Sequence, residues 1–401
     1  MNRMALFSAI VGLMASALGG CGDSKSSIAP KIETCRVKTE GGWQKMPVSE
    51  LETFRGTTVD LSGASLTDVD LKHLKGLTQL QVLDLGETQF TDADLEQLKG
   101  LTQLRELGLE GTHVTDAGLQ NLKALTLLQR LDLSNTQVTD AGLEPLVGLT
   151  DMQVLRLMRT RVTDAGLKHL NGFPRLQELT LGSTPVTDEG LQYLKGLTQL
   201  KELDLGLTKV TDLGLEHIKD MAHLERLDLK GTAVTDAGIQ HLKGLTQLQR
   251  LDLGGTLLKD SGLEYLKALA QLQALNLGGT GVSDAGMAHL KGLTHLQELD
   301  LQGTKVTDAG LLALKGLTQL QQLSLHLTRI TDAGLQNLKG MTQLQILNLW
   351  QTQVTDAGLP DLAGLTHLQS LILYETKVTD AGAEGLQRSL PALHIDLHVG
   401  H

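Results

Sequence analysis

Aromatic side chains are scarce: the 401 residues include only 2 Trp, 3 Tyr and 4 Phe. A single core wedged together by rings is therefore excluded. The two cysteines, Cys21 and Cys35, rule out a disulfide-stapled scaffold and every multi-cysteine zinc or iron–sulfur site. Basic residues are outnumbered, 35 Lys and Arg against 46 Asp and Glu, for a net charge of −11. A chain of that sign does not hug nucleic-acid phosphates. Proline is also rare, at 7, against 44 glycines. Leucine fills the apolar share. This composition suits a chain that builds one small apolar unit many times over.

The first twenty residues read as an address. Met1–Gly20 carries one charged side chain, Arg3, before an apolar run from Met4 to Leu18. That run falls short of the roughly 20 residues a membrane-spanning helix needs, and its flanks suit a signal peptide. It ends Leu18-Gly19-Gly20-Cys21, which resembles a bacterial lipobox. The resemblance implies cleavage before Cys21 and diacylglyceryl attachment to its sulfur. The mature chain is then extracytoplasmic and anchored to a membrane by lipid, in the periplasm or at the cell surface, without spanning it. A plain secretory signal is the rival reading. Removal of residues 1–20 takes away Arg3 and leaves a net charge of −12. Residues 21–52 follow as lipidated tether and N-terminal cap. Cys35 is the remaining thiol, read as an inert cap residue, with a reactive or interchain thiol as the alternative.

From Thr53 the sequence repeats every 24 residues, and 53–388 holds 14 such units without insertion or deletion. Numbered 1 to 24 within the unit, apolar residues recur at positions 1, 4, 7, 9, 14, 19 and 22. Positions 7 and 9 alternate with mostly polar 6 and 8, the rhythm of a strand with one buried face. Positions 19, 22 and the next unit's 1 follow a helical rhythm. Position 16 is Asp in all 14 units, from Asp68 to Asp380. Just before a helix, it reads as the residue whose carboxylate accepts an orphan backbone N–H, not as a catalytic acid. Lys at position 23 and Gly at position 24, each in 10 of 14 units, read as helix-end signals. Position 12 is Thr in 13 of 14 units and is expected to face inward, satisfy the turn and stack into a hydrogen-bonded ladder.

The pattern Leu-x-x-Leu-x-Leu-x-x-Thr-x-Val-Thr-Asp-Ala-Gly-Leu resembles the leucine-rich repeat family, with Thr where that family usually has Asn or Cys. Val-Thr-Asp-Ala-Gly-Leu is similar to the cysteine-containing subclass found in F-box substrate receptors. The resemblance implies an α/β fold: a right-handed horseshoe solenoid of 14 repeats, a parallel sheet on its concave face and helices on its convex face. Residues 389–401 become a C-terminal cap, with Leu390–Leu397 as a shortened last strand.

Repeated letters state structure, so function is sought in the columns that vary. Positions 6, 8, 10 and 11 are expected to line the concave face. Position 8 is Asp in seven units; Asp204, Asp228 and Asp252 form a like-charge stack, with Arg226 and Arg250 placed to offset it. Carboxylate stacks bind calcium in other settings, but no carbonyl-rich loop accompanies these. Arg156, Arg159 and Arg161, beside Arg130, form a basic island suited to an anionic group of a partner, with pairing to flanking acids as the rival. Position 10 reads His326, Trp350, Tyr374 in consecutive units, with Leu327, Ile346, Ile372 and Gln351 around them. Trp, Tyr and exposed aliphatics are the usual anchors of binding surfaces; the rival is a ladder covered by the tail from Ser389.

Catalysis has little support. Five of the 13 histidines occupy position 21 (His73, His169, His217, His241, His289), expected on the exposed helix face. His394, His398 and His401 lack a clear fourth metal ligand. No nucleophile elbow or phosphate loop occurs. The sequence thus predicts a non-enzymatic protein, without cofactor, metal or nucleic acid. It would bind a protein or glycan on its concave face. The competing function, suggested by the repeat subclass, is a substrate adaptor in a ubiquitin-ligase-like complex.

Overall fold

A computed structural model of the chain describes residues 34–39, 42–66 and 68–397. The signal peptide, Cys21, His398 and His401 lie outside the described residues. Two strands open the fold: β1 (Thr34–Thr39) and β2 (Gly42–Pro47), paired antiparallel. Each 24-residue unit then forms one coil of a solenoid. Its three-residue strand occupies positions 6–8, giving β3 (Thr58–Asp60) through β16 (Ser370–Ile372), all parallel with one another. Register never slips: position 7 faces position 7, as in Leu83 with Leu107 and Leu227 with Leu251. A last strand, β17 (His394–Asp396), extends the sheet beyond the repeats.

The apolar columns close the core. In the ninth coil Leu245, Leu248, Leu251, Leu253, Leu258, Leu263 and Leu266 are each at most 1% exposed. Burial on that scale contributes about 1.5–3 kcal/mol gross per side chain, but only when the next coil covers it. Both ends are therefore capped. At the N-terminal end β1 pairs antiparallel with β3, and Cys35, Val37, Val48 and Leu51 fill the space below the first coil. Cys35 is 2% exposed, its Sγ donates to the Met46 carbonyl at 3.4 Å, and burial pushes its thiol up to about 11. At the other end Leu390 and Leu393 cover the fourteenth coil.

The helical side is tighter than a regular helix. Most coils make one α-turn, such as Asp116–Leu119, followed by a 3-10 turn, Gln120–Ala124. Its exit does not use a left-handed glycine. The glycines of position 24 keep negative φ, and the turn closes by the position 1 N–H on the position 22 carbonyl, as Leu125 on Leu122 at 2.9 Å. The left-handed residue is instead position 11, in every coil from Gly63 (φ 69°) to Glu375 (φ 51°).

The aspartate column differs most from expectation. The side-chain N-cap is Thr at position 15: Thr115 is extended (φ −125°) and accepts from the Ala117 N–H at 3.4 Å. Asp at position 16 is already the first helical residue, and its carboxylate reaches into the next coil. Asp92 accepts from the Thr115 N–H at 2.7 Å and from the Thr115 hydroxyl at 2.6 Å. The same clasp runs through Asp116 and Thr139, Asp140 and Thr163, Asp188 and Thr211, and on to Asp356 and Thr379. Space for it comes from the glycine at position 18. A Cβ on Gly118 would sit 2.4 Å from Asp92 Oδ1, and one on Gly214 2.5 Å from Asp188 Oδ1. Where the unit departs, the clasp is rebuilt. Coil nine has Lys259 at position 15, so Asp236 takes the Lys259 N–H at 2.6 Å and borrows the hydroxyl of Ser261.

The threonines of position 12 are inward and mostly buried, but they form no coil-to-coil ladder. Each hydroxyl donates within its own turn, as Thr88 to the Leu85 carbonyl at 2.6 Å and Thr256 to Leu253 at 2.7 Å. The reason is reach: a carbonyl three residues back is nearer than a hydroxyl on the next strand, about 4.8 Å away.

Asp188→Ala removes a charged acceptor from two donors of the next coil and is expected to cost about 2–3 kcal/mol. Urea denaturation followed by circular dichroism measures it. Gly214→Ala, which blocks the same carboxylate by sterics, should produce a loss of similar size.

Candidate functional site

The strand side carries the variable columns, and its local chemistry begins at position 8. An Asp or Asn there accepts the N–H of position 10 and so ends its own strand: Gly86 on Asp84 at 2.9 Å, Gly254 on Asp252 at 2.8 Å, Gly278 on Asn276 at 2.8 Å. The carboxylates thus have a structural task before any functional one.

Asp204, Asp228 and Asp252 stand side by side on adjacent strands. Partial burial raises Asp228 to about 7, helped by the charges of Asp252 and Asp204. Burial also raises Asp204 and Asp300. Arg226 and Arg250 do not offset this stack as expected. Arg226 binds Glu202 at 2.6 Å, and Arg250 reaches Glu298 at 3.0 Å. For Arg226 the partner is the adjacent strand's residue in the same column, about 4.8 Å away and closer than position 8 of its own strand; Arg250 spans the small Ala274 to reach two strands along. Among the described residues no group of His, Cys, Asp and Glu is arranged to hold a metal ion.

The arginine island divides. Arg156 is held by Glu178 at 2.7 Å and Asp132 at 3.5 Å, and Arg130 lies 3.8 Å from Glu106. Arg159 and Arg161 are exposed and form no ion pair among the described residues. The pairing with flanking acids, set out as the rival, describes Arg130 and Arg156; Arg159 and Arg161 have no ion pair among the described residues.

In coils 12–14 the column at position 10 becomes an aromatic ledge. His326 is 4% exposed and stacks on Trp350, with ring centroids 5.4 Å apart and an interplanar angle of 17°. Its Nδ1 meets the Ser324 hydroxyl at 3.0 Å and the Asn348 amide at 3.4 Å, and burial lowers its pKa from the ordinary histidine value. Trp350 and Tyr374 are half-buried, and Trp350 Nε1 has no acceptor among the described residues. Burial raises the Tyr374 phenol, and the Asp396 charge adds to it. Leu327 is 51% exposed at φ 59°. Gln351 bonds Glu375. Two expectations fail: Ile346 and Ile372 are 3% and 7% exposed, not open aliphatics. In-register neighbours about 4.8 Å away close over a short branched side chain. The tail does not roof the ledge in its described part; β17 lies beside β16 as one more strand.

Sequence reasoning passed over a cavity of about 320 Å³ on the strand side of coils 2–5, around Gly108. The signal was the one glycine in column 8, between Asp84 and Asp132. The position 21 histidines are half-buried rather than exposed. His394 pairs with Asp396 at 2.9 Å.

Family models described as leucine rich repeat match residues 57–114 and, in a second form, 124–147, 196–218, 220–242 and 292–315. The fold is a leucine-rich-repeat solenoid. Similar solved structures include an internalin, inlF, of Listeria monocytogenes (24% identity, 89% of this chain and 91% of that one, TM-score 0.56). A leucine-rich-repeat protein of Leptospira interrogans, LIC12759, is 20% identical over 87% of this chain and 97% of that one, with a TM-score of 0.58. The functional domain of Listeria InlJ, which includes a cysteine ladder, is 20% identical over 87% and 73%, with a TM-score of 0.55. At those identities the likeness concerns the fold alone. No curated protein sequence matches the chain. The leucine-rich-repeat solenoid described here has threonine, not cysteine, as its repeated small column.

The raised Asp228 makes its charge a cost to the solenoid. Its folded value lies above the unfolded one, so the penalty is absent below about pH 4, grows as pH rises and is complete above about 7. Asp228→Asn keeps the bond to the Lys230 N–H, as Asn276 keeps its own. It should stabilise the protein by about 1–2 kcal/mol at pH 8, discounted for partial exposure, and by nothing at pH 4. Thermal melts across that range read the difference.

Proposed function

We propose that this solenoid is a non-enzymatic recognition module, held at an extracytoplasmic membrane surface by a lipid on Cys21, that binds a protein or glycan on its concave strand face. The observation that carries the binding reading is the aromatic ledge. A stacked His326 and Trp350, a half-buried Tyr374 and an exposed Leu327 follow one another on consecutive coils of a chain with only two tryptophans. Large rings held at fixed spacing lose little conformational freedom on binding, and a preformed curved sheet loses less still. Leu327 in the left-handed region is a further local cost that the ordinary choice in that column, glycine, avoids. Ile346 and Ile372 stiffen the ledge from within the sheet. Arg159 adds a free cation at a second place on the same face, with Arg130 and Arg156 committed to their carboxylates.

The solved solenoids that resemble the chain share its fold alone, and their names say what such a fold serves elsewhere. One is an internalin; another, similar at the level of fold only (15% identity, TM-score 0.56), is titled a TDR receptor. The lipid anchor rests on Leu18-Gly19-Gly20-Cys21.

Trp350→Ala combined with Tyr374→Ala should abolish capture of the partner from surface extracts while the circular dichroism stays unchanged, since neither ring is a core residue. Retained capture would move the site off the ledge. For the anchor, mass spectrometry of the membrane fraction is expected to find the chain beginning at a diacylated Cys21. A soluble chain beginning at Met1 would refute it.

A further inference from the structure

The cavity of coils 2–5 combines three features that a binding pocket needs. It has a floor, because column 8, which carries Asp84 on one side and Asp132 on the other, has only Gly108 between them. A side chain there would have to push Asp84 aside, since a Cβ at Gly108 would meet Asp84 Oδ1 at 2.6 Å. It has aliphatic walls, Val82 and Val154 of column 6. And it has charge to spare. The two lining arginines are spoken for, Arg130 by Glu106 and Arg156 by Asp132 and Glu178. Asp84, Glu87 and Glu110 have no cation among the described residues. The Glu110 carboxyl is raised, by burial first and then by the charges of Asp132, Glu87 and Asp84, which marks a place where negative charge is in excess.

We propose that this cavity binds the basic side chain of a polypeptide partner, a lysine or an arginine, with Val82 and Val154 against its methylenes and the carboxylates of Asp84, Glu87 and Glu110 around its cationic head. The match is to an amphipathic side chain: an apolar stem with a charged tip needs both kinds of wall. A volume of about 320 Å³ lies at the small end of ligand sites, room for one long side chain rather than a whole ligand. A bare metal ion would leave the valines without a partner. This pocket lies on different coils from the aromatic ledge and stands or falls without it.

Saturation-transfer NMR on the full-length protein tests it, with acetyl-Gly-Lys-Gly-amide, its arginine counterpart and its norleucine counterpart at constant ionic strength. The lysine and arginine peptides are expected to bind about tenfold more tightly than norleucine. Gly108→Asn fills the floor without altering charge, using a residue that column 8 already carries at Asn276 and Asn348. It should erase that difference, and Trp350→Ala should preserve it. Glu87→Gln with Glu110→Gln, at positions exposed as a whole although the Glu110 carboxyl end is partly desolvated, should weaken the basic peptides to a similar degree. That pair decides the matter if Gly108→Asn fails to fold. Equal binding of norleucine, or basic-peptide binding that survives Gly108→Asn in a folded protein, would overturn the proposal. So would stoichiometric displacement of the peptide by calcium chloride.

Discussion

The solenoid depends on one carboxylate that crosses between successive coils from Asp92 to Asp356. A coil of 24 residues cannot bury its own leucines, so its stability is borrowed from its neighbours. Apolar contact between coils is non-directional and would permit sliding or splaying. The clasp from Asp at position 16 to Thr at position 15 of the following coil is directional. It holds a backbone N–H and a hydroxyl with one carboxylate, at 2.7 and 2.6 Å for Asp116 and Thr139. That threonine also caps the helical turn of its own coil. Local folding and stacking are therefore one event: the cap that starts a helix is oriented by the acid of the coil before. The glycine at position 18 completes the device by leaving room, and Ser261 shows that the hydroxyl matters more than its place in the chain.

This bond also explains what the sequence made legible and what it hid. Period, register and strand side were readable, because alternation and helical spacing act within one unit. So was the position of the aspartate at a helix start. Its partner was not, because Asp92 and Thr115 lie 23 residues apart and belong to different units, and a rule for capping looks only within the same turn. The threonines of position 12 were misdirected in the opposite sense. A contact between coils was expected, and the nearer carbonyl of the same turn won. Arg226 and Arg250 were assigned to aspartates two residues away along the strand, yet both pair with glutamates of their own column, Arg226 on the adjacent strand and Arg250 across Ala274 on the strand beyond.

The two long sides of the solenoid solve different problems. On the helical side nearly every unit repeats the same clasp, and variation is repaired. On the strand side the frame asks little: position 8 ends the strand where it carries Asp or Asn but also admits Gly108, Arg156 and Ile372, and position 11 needs a residue that tolerates positive φ. Glycine fills that place in Gly231, Gly255, Gly279 and Gly303, whereas Leu207 and Leu327 occupy it at φ 57° and 59°. Leucine there gains nothing for the fold. It gives up backbone ease and sets an apolar side chain in water, 60% exposed at Leu207.

Frustration on the strand face is graded along the coils. In the middle, Asp204, Asp228 and Asp252 repel one another, and the chain tolerates the repulsion with a partly buried acid raised to about 7. An asparagine would end the strand equally well, as Asn276 and Asn348 show. Toward one end the carboxylates surround an empty place in their own column; toward the other they give way to Ser324, Asn348 and rings. A scaffold optimised for stacking alone would carry asparagine and glycine throughout. The departures from that pattern fall on the face where the coils are joined by backbone pairing rather than by side chains, so they can differ from coil to coil while the ladder and the clasp stay the same. The solenoid separates the side chains that clasp its coils from those left free to vary, and its strained and like-charged positions belong to the second set.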